Sequence, residues 1–487
     1  MLILKQIDRN FYLAELRLYQ TDGIHKIFNC WKQGKRSILF QMPTGTGKTV
    51  LFSQIVKLGF DNNRRILIVV HRKELVEQIT EKLTARNVPV GHILAGVKAD
   101  YTQTVQVASI QTLSRREHPE ANLIIIDECH HAKADTYKKL WNIYPNAKFL
   151  GVTATPVRLS GEGFDDLFDE LIVSMSTQKF IEQGYLCPIT HLVCSNPNLS
   201  DVKQKQGDYV TKMLSGVMMD NSIMSDLIES YKEKALGKTA IVFAVDVEHS
   251  QSIVKRYNEE NISAAHIDAT TPKSERTAIL NDFKAGKIKV VSNVEIITEG
   301  FDFPECEVVQ LARPTKSLSL YLQMVGRVMR LSKNKKEGII LDNAGLWLEH
   351  GLSTVDREWT LQSTKKKNKN DLRQIKEVAL DEEGTIREIN RKRPIEIKGL
   401  KLVPLTFEIK RLFEFETILV NSRAKGHNLL SSYFAYKTLL DERTIAISKY
   451  EFAYIKKRLN AFNEKAPVDK QFKKGYWYNE EKTLFQQ

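Results

Sequence analysis

Short, uniformly apolar runs alternate with amphipathic stretches over most of this chain. The runs are RILIVV (65–70), NLIII (122–126), KFLGV (148–152), TAIVFAV (239–245), KIKVVSNV (287–294) and GIILD (338–342). Runs of this length without polar alternation predict strands covered on both faces, as in a parallel sheet. Between them, RKELVEQITEKLTARN (72–87) and HSQSIVKRYNEENI (249–262) carry the helical period. Strand and helix repeated in turn predict an α/β fold. The alternation breaks after about residue 160, where GEGFDDLFDELIVSMSTQKFIEQGYLCP reads as a connecting segment, and strands resume near residue 239. Two α/β lobes are therefore expected rather than one large sheet. Beyond about residue 346 the pattern fades. Residues 364–394 are charged, poor in apolar periodicity and read as a linker or surface segment. From about residue 405 helical and aromatic character returns, which predicts a small, mainly helical C-terminal module. The resulting division is 1–188, 189–346 and 347–487.

Candidate chemistry begins at MPTGTGKTV (42–50). SILFQ (37–41) reads as a strand and TVLFSQIVKLGF (49–60) as a helix, so Gly45, Gly47 and Lys48 fall at a strand-to-helix turn. Backbone N–H groups and the positive helix end would face an anion there. Lys48 would reach the β- and γ-phosphates of a nucleotide, Thr49 would hold Mg²⁺, and Thr44 and Thr46 would line the loop. Taken alone, the loop fits a glycine-bearing turn before an ordinary helix equally well. The P-loop template also asks for glycine where Met42 stands. A second pattern changes the balance. In NLIIIDECHH (122–131) two carboxylates follow an apolar strand. Asp127 would bind the metal and Glu128 would orient or deprotonate an attacking water.

DECH followed by TATP (153–156) resembles the DExH branch of the superfamily 2 helicases and translocases, which tolerates methionine at position 42. The other blocks of that family follow in order. LRLYQ (16–20) resembles the adenine-recognition element, with Arg17 and Gln20 as base contacts. VVHRKELVEQ (69–78) and ASIQTL (108–113) resemble strand-contacting motifs. VSNVEIITEGFDFP (291–304) resembles motif V and YLQMVGRVMR (321–330) motif VI. The resemblance covers about residues 10 to 345 and is nearest to RadD-like and type III restriction-like DNA helicases.

It implies two tandem RecA-like parallel-sheet domains with ATP and Mg²⁺ in the cleft between them. Arg327 and Arg330, three apart and so expected on one helix face, would act on the γ-phosphate. Gln323, Gly300 and Asp302 would face the nucleotide. His130, Thr153 and Thr155 would couple the nucleotide site to a nucleic-acid track. That track would be formed by His71, Arg72, Ser109, Gln111 and Thr112 on the first lobe, and by Thr298 with Phe243 on the second. The implied activity is ATP-dependent helicase or translocase action on DNA in replication, recombination or repair. RNA unwinding and service as the motor of a restriction or anti-invader complex are the rivals.

Composition adds direction. Lys plus Arg number 72 against 59 Asp plus Glu, a balance of +13, which favours a polyanionic partner. The five cysteines are scattered, as reduced thiols in a cytosol would be. Cys187 and Cys194 have no second pair downstream and do not make a zinc site. His130 and His131 are adjacent and point apart, so they are not a metal pair. No run approaches the ~18 apolar residues of a membrane span. A soluble cytoplasmic protein without membrane contact is expected. Met218 and Met219 read as core. Lys365, Lys366, Lys367 and Lys369 suit either phosphate contacts or a solvated linker. The tail (421–440 and 449–465) interleaves basic and aromatic residues. Single-strand binders do so, and so does an amphipathic helical pair, which would also offer a surface to protein partners.

Overall fold

The computed structural model describes residues 16–131, 134–159, 161–195, 197–297 and 303–363, two short strands (377–380 and 386–389), and the helical positions 415, 418, 433–438, 455–456 and 459. Thr298, Gly300 and Asp302 lie outside the described residues, as do Lys365, Lys366, Lys367, Lys369 and most of the basic-aromatic tail. The chain divides into two compact units, one of residues 1–189 and 195–372, the other of residues 190–194 and 373–487.

The first unit holds two parallel sheets. One has seven strands in the spatial order Gly91–Ile93, Val105–Ser109, Ile66–Val70, Leu123–Asp127, Lys148–Thr153, Ser37–Gln41, Glu170–Val173. Every pairing in it is parallel. Ser37–Gln41, Ile66–Val70 and Leu123–Asp127 are buried along their whole length, as their unbroken apolar runs require. Five strands of the second sheet run parallel in the order Ala264–Ile267, Val290–Asn293, Ala240–Phe243, Val308–Leu311, Gly338–Asp342. Helices Leu18–Lys32, Lys48–Asp61 and Lys73–Thr84 bury Ile24, Ile27, Leu51, Ile55, Val76 and Ile79 in one core cluster; Tyr137, Leu140, Phe149 and Phe168 belong to a second. Of the two methionines expected in the core, Met218 is fully buried and Met219 only partly so.

Three expectations change. The connecting segment after residue 160 contributes the edge strand Glu170–Val173 and the helix Thr177–Glu182. The motif VI helix spans only Leu318–Val325, so Arg327 and Arg330 lie in the turns beyond its end and do not share a helix face. Phe243 is 2% exposed, packed in the core beneath its strand and unavailable to a base. In the second unit, Glu377–Leu380 pairs antiparallel with Ile386–Ile389. Phe415, Tyr433, Tyr436, Ile455 and Leu459 are buried there.

Candidate functional site

The Ser37–Gln41 strand runs into the loop 42–47, and the helix Lys48–Asp61 starts directly after it. Gly45 (φ +86°) and Gly47 (φ +89°) occupy the left-handed region, which side chains resist. A Cβ on Gly47 would also stand 2.8 Å from Gln20 Nε2. Thr46 Oγ1 donates back to Pro43 O (2.7 Å), which closes the loop on itself. Thr49 sits in the first helical turn.

The helix Leu18–Lys32 braces this loop from outside. Tyr19 Oη donates to Thr46 O (2.6 Å), and Gln20 Nε2 approaches Thr46 O and Gly47 O (3.4 and 3.3 Å). Arg17 lies over the Tyr185 ring, 5.6 Å from its centroid, and donates to Tyr185 O. Tyr19 meets Phe180 and Tyr185 edge to face. Sequence reasoning named Arg17 and Gln20 but passed over Tyr19 and Tyr185. Tyr19 stood between them in LRLYQ, and a hydroxyl one residue from a buried glutamine was a usable signal.

At the end of Leu123–Asp127 the two carboxylates separate. Asp127 is 5% exposed and Oδ1 accepts from the Glu128 N–H (3.0 Å). Glu128 adopts φ +45°, a conformation that costs a non-glycine residue energy and turns its carboxylate across the loop. Its Oε1 lies 3.5 Å from Lys48 Nζ, and Oε2 lies 3.4 Å from His130 Nδ1. Lys48 is 9% exposed and also approaches Met42 O (3.4 Å). His130 Nδ1 is 2.9 Å from Thr153 Oγ1, which in turn accepts from the Thr155 N–H. Burial beside this group pushes the Cys129 thiol well up.

The second lobe meets the first here. Gln323 Nε2 lies 3.3 Å from His130 Nε2. Gly326 is so close to the loop that an added Cβ would stand 2.3 Å from Thr44 Cγ2. Gly45 faces Arg330, whose Cγ would be 3.6 Å from a Cβ at that glycine. Arg327 is 6% exposed. The structure thus gathers Thr44, Gly45, Lys48, Glu128, His130, Gln323, Gly326 and Arg330 at one seam.

The residues expected on the nucleic-acid track form a separate ridge. Gln111 Nε2 donates to His71 O (3.1 Å). Ser109 caps the short helix Ile110–Leu113 through the Thr112 N–H. Arg72 Nη1 donates to Glu295 O on the second lobe (2.8 Å).

The loop fits a nucleotide triphosphate on its own terms. Two glycines hold positive φ, a buried ammonium sits at its end, and Thr44 Oγ1 is buried without a hydrogen-bond partner. Among the described residues there is no group of three or more His, Cys, Asp or Glu that could hold a metal by itself, and neither Cys187 nor Cys194 is in a disulfide. No described helix is long and apolar enough to cross a membrane.

Comparison with known proteins agrees with this layout. Residues 13–158 match the family model described as "Type III restriction enzyme, res subunit", and residues 221–332 match "Helicase conserved C-terminal domain". A "51.5 kDa protein" of a Lactococcus phage (isolate 7-9) is 39% identical over 322 residues, covering 66% of this chain and 68% of that one. The Saccharomyces cerevisiae protein named "Putative ATP-dependent helicase IRC3" is 33% identical over 367 residues, covering 70% of this chain and 53% of that one. The chain therefore spans about half the length of the yeast relative. Among solved structures, the ATP-dependent Type ISP restriction-modification enzyme LlaBIII bound to DNA superposes with a TM-score of 0.52 at 18% identity, covering 68% of this chain and 28% of that one. At that identity the likeness concerns the fold alone.

Proposed function

Because this chain belongs to the superfamily 2 helicases and translocases related to the type III restriction subunits, we propose that it is an ATP hydrolase that moves along or unwinds DNA. The observation that carries the reading is the seam itself. The phosphate loop, the acid Glu128 and the motif VI residues come from two lobes and meet at one place. ATP would supply the phosphoryl group to be transferred, and Mg²⁺ would supply positive charge that offsets the phosphates.

The residues then divide the labour. Lys48 and the backbone of 44–47 hold phosphate, while Thr49 and Asp127 would hold the metal. Glu128 orients the attacking water and takes its proton. Arg327 and Arg330 stabilise the charge that spreads over the transferred group; in GTPases such an arginine gives about 10³–10⁵ in rate. Arg17 and Gln20 bind and orient the base. Because these groups belong to both lobes, the closed arrangement binds triphosphate better than the open one, which is the differential affinity that a ligand needs to drive a motion. His130 is in hydrogen-bond reach of Thr153 and Gln323, so it couples that closure to the ridge of His71, Arg72, Ser109, Gln111 and Thr112.

DNA is favoured over RNA by the restriction-subunit family model. The setting is replication, recombination or repair. A second reading, the motor of a restriction or anti-invader assembly, is favoured by the same family model and is separated by co-purification of a nuclease or methyltransferase chain. The deciding measurement is ATP hydrolysis with no nucleic acid, with duplex and single-stranded DNA, and with RNA, in the wild type and Lys48→Ala. DNA-stimulated turnover that Lys48→Ala abolishes is expected. Stimulation by RNA alone would overturn the DNA assignment.

A further inference from the structure

Beyond the helix Leu318–Val325 the chain turns through Arg327 and Arg330 and returns as the strand Gly338–Asp342. Lys335 lies on that return. Its flanking lysines Lys333 and Lys336 are exposed, but Lys335 is half-buried. Lys335 Nζ donates to three carbonyls: Pro304 O at 2.6 Å, Cys306 O at 3.0 Å and Val328 O at 3.1 Å. An ammonium has three donors and no acceptor, so these bonds use it completely. Desolvation lowers its pKa, and the nearby Cys306 and Cys187 thiols oppose that shift.

The three acceptors come from two places that matter to the seam. Pro304 ends the motif V block, Cys306 follows two residues later, and Val328 is the neighbour of Arg327. The Val328 peptide is also confined from the other side, since a Cβ on Gly338 would stand 2.7 Å from Val328 O. Two residues earlier Gly326 already abuts Thr44 of the phosphate loop. The backbone that carries Arg327 is therefore held between the loop at residue 326 and the lysine at residue 328. Lysine suits this position because a point charge on a flexible stem can satisfy three converging carbonyls, whereas a planar guanidinium cannot.

We propose that Lys335 is a positioning residue for the motif VI arginines: it ties the end of motif V to the backbone beside Arg327 and so fixes where the arginine reaches across the seam. The proposal rests on the reading of Arg327 given above.

The test compares wild type with Lys335→Met, Lys335→Arg, Arg327→Ala and the double variant Lys335→Met/Arg327→Ala. The readouts are kcat and KM for ATP, the affinity of a fluorescent ADP analogue, and the melting temperature. A misplaced catalytic group can cost about 10²-fold, so Lys335→Met is expected to lose roughly that factor in kcat. Its ADP affinity stays within about twofold, because the first lobe's phosphate loop is intact. Lys335→Arg, which keeps charge and donors, recovers part of the rate. The double variant is no slower than Arg327→Ala alone, because the two residues act through one group. Wild-type kcat in Lys335→Met overturns the proposal, and so do losses that multiply in the double variant. If Lys335→Met does not fold, Lys335→Gln is measured in its place. Failure of both neutral variants to fold makes Lys335 a folding residue and also overturns the proposal. Wild-type turnover in Arg327→Ala sinks the reading of Arg327 itself, and the Lys335 proposal with it.

Discussion

Single residues in this molecule are set by who faces them when buried. Lys48 is buried and Glu128 is partly buried, 3.5 Å apart, so each is the other's charge partner at the loop. An incoming triphosphate can take over Lys48, which leaves Glu128 to its other neighbour, His130. A different buried residue gives a pH prediction. His249 is fully buried, and desolvation pulls its pKa from 6.5 down to about 4 despite the opposing charge of Asp246. Nδ1 accepts from the Val245 N–H (3.3 Å), so the neutral ring is the form the fold uses. Between pH 6.5 and 4 the unfolded chain binds a proton that the folded one refuses. Stability from this residue is therefore full above that window and falls as pH drops through it. Linkage puts the loss at about 2 kcal/mol between about pH 7 and 5. Urea unfolding at the two pH values should show this difference in wild type and a smaller one in His249→Asn. Equal pH slopes would refute it.

Among the elements, Gly326 has the plainest consequence. It ends the motif VI helix in ordinary helical geometry (φ −58°), so alanine is conformationally acceptable there. Space is the obstacle, with Thr44 Cγ2 at 2.3 Å and Thr44 Cβ at 2.5 Å from the new methyl. Gly326→Ala should wedge motif VI away from the phosphate loop. A loss on the order of 10²-fold in kcat is expected, with ADP-analogue affinity little changed; undiminished kcat would mean that the close approach is irrelevant to turnover. Much of this architecture was legible in the chain. The long apolar runs appear as strands within three residues of their expected ends, and the phosphate loop, DECH and motif VI blocks meet at one seam. What was missed has a physical reason. Val105–Ser109 and Val308–Leu311 carry the buried glutamines Gln106 and Gln310, which break an apolar run. Their amide NH2 groups donate to partners remote in sequence or in loops: Gln106 to Asp100 O and Gln103 O, Gln310 to Leu227 O and Asn343 Oδ1. Hydropathy cannot see those partners. Spacing alone likewise put Arg327 and Arg330 on a helix that stops at Val325, and it gave no sign that Lys335 differs from Lys333 and Lys336.

For the whole molecule the proposed activity requires two lobes to hold a charged polymer while they open and close. Arg72 now bonds to Glu295 O across the lobes, beside the ion pair of Glu295 with Arg313 (2.9 Å), and Lys273 reaches Glu77 (3.6 Å). Arg72 therefore belongs both to the expected track and to the contact between lobes. If it holds a phosphate when DNA is bound, it contributes one released counterion to the binding equilibrium. Each phosphate contact gives a slope of about −0.9 in log K against log salt on duplex and about −0.7 on single strands. With a net charge of +13 the total slope should be steep. Arg72→Ala should then weaken DNA binding on all sequences alike and shrink the slope by close to one contact's worth. Fluorescence-anisotropy titrations at several salt concentrations, on a duplex and a single strand of mixed sequence, measure both quantities. A weakened affinity with an unaltered slope would assign Arg72 to the contact between lobes alone, because only displacement of counterions makes the slope depend on a side chain.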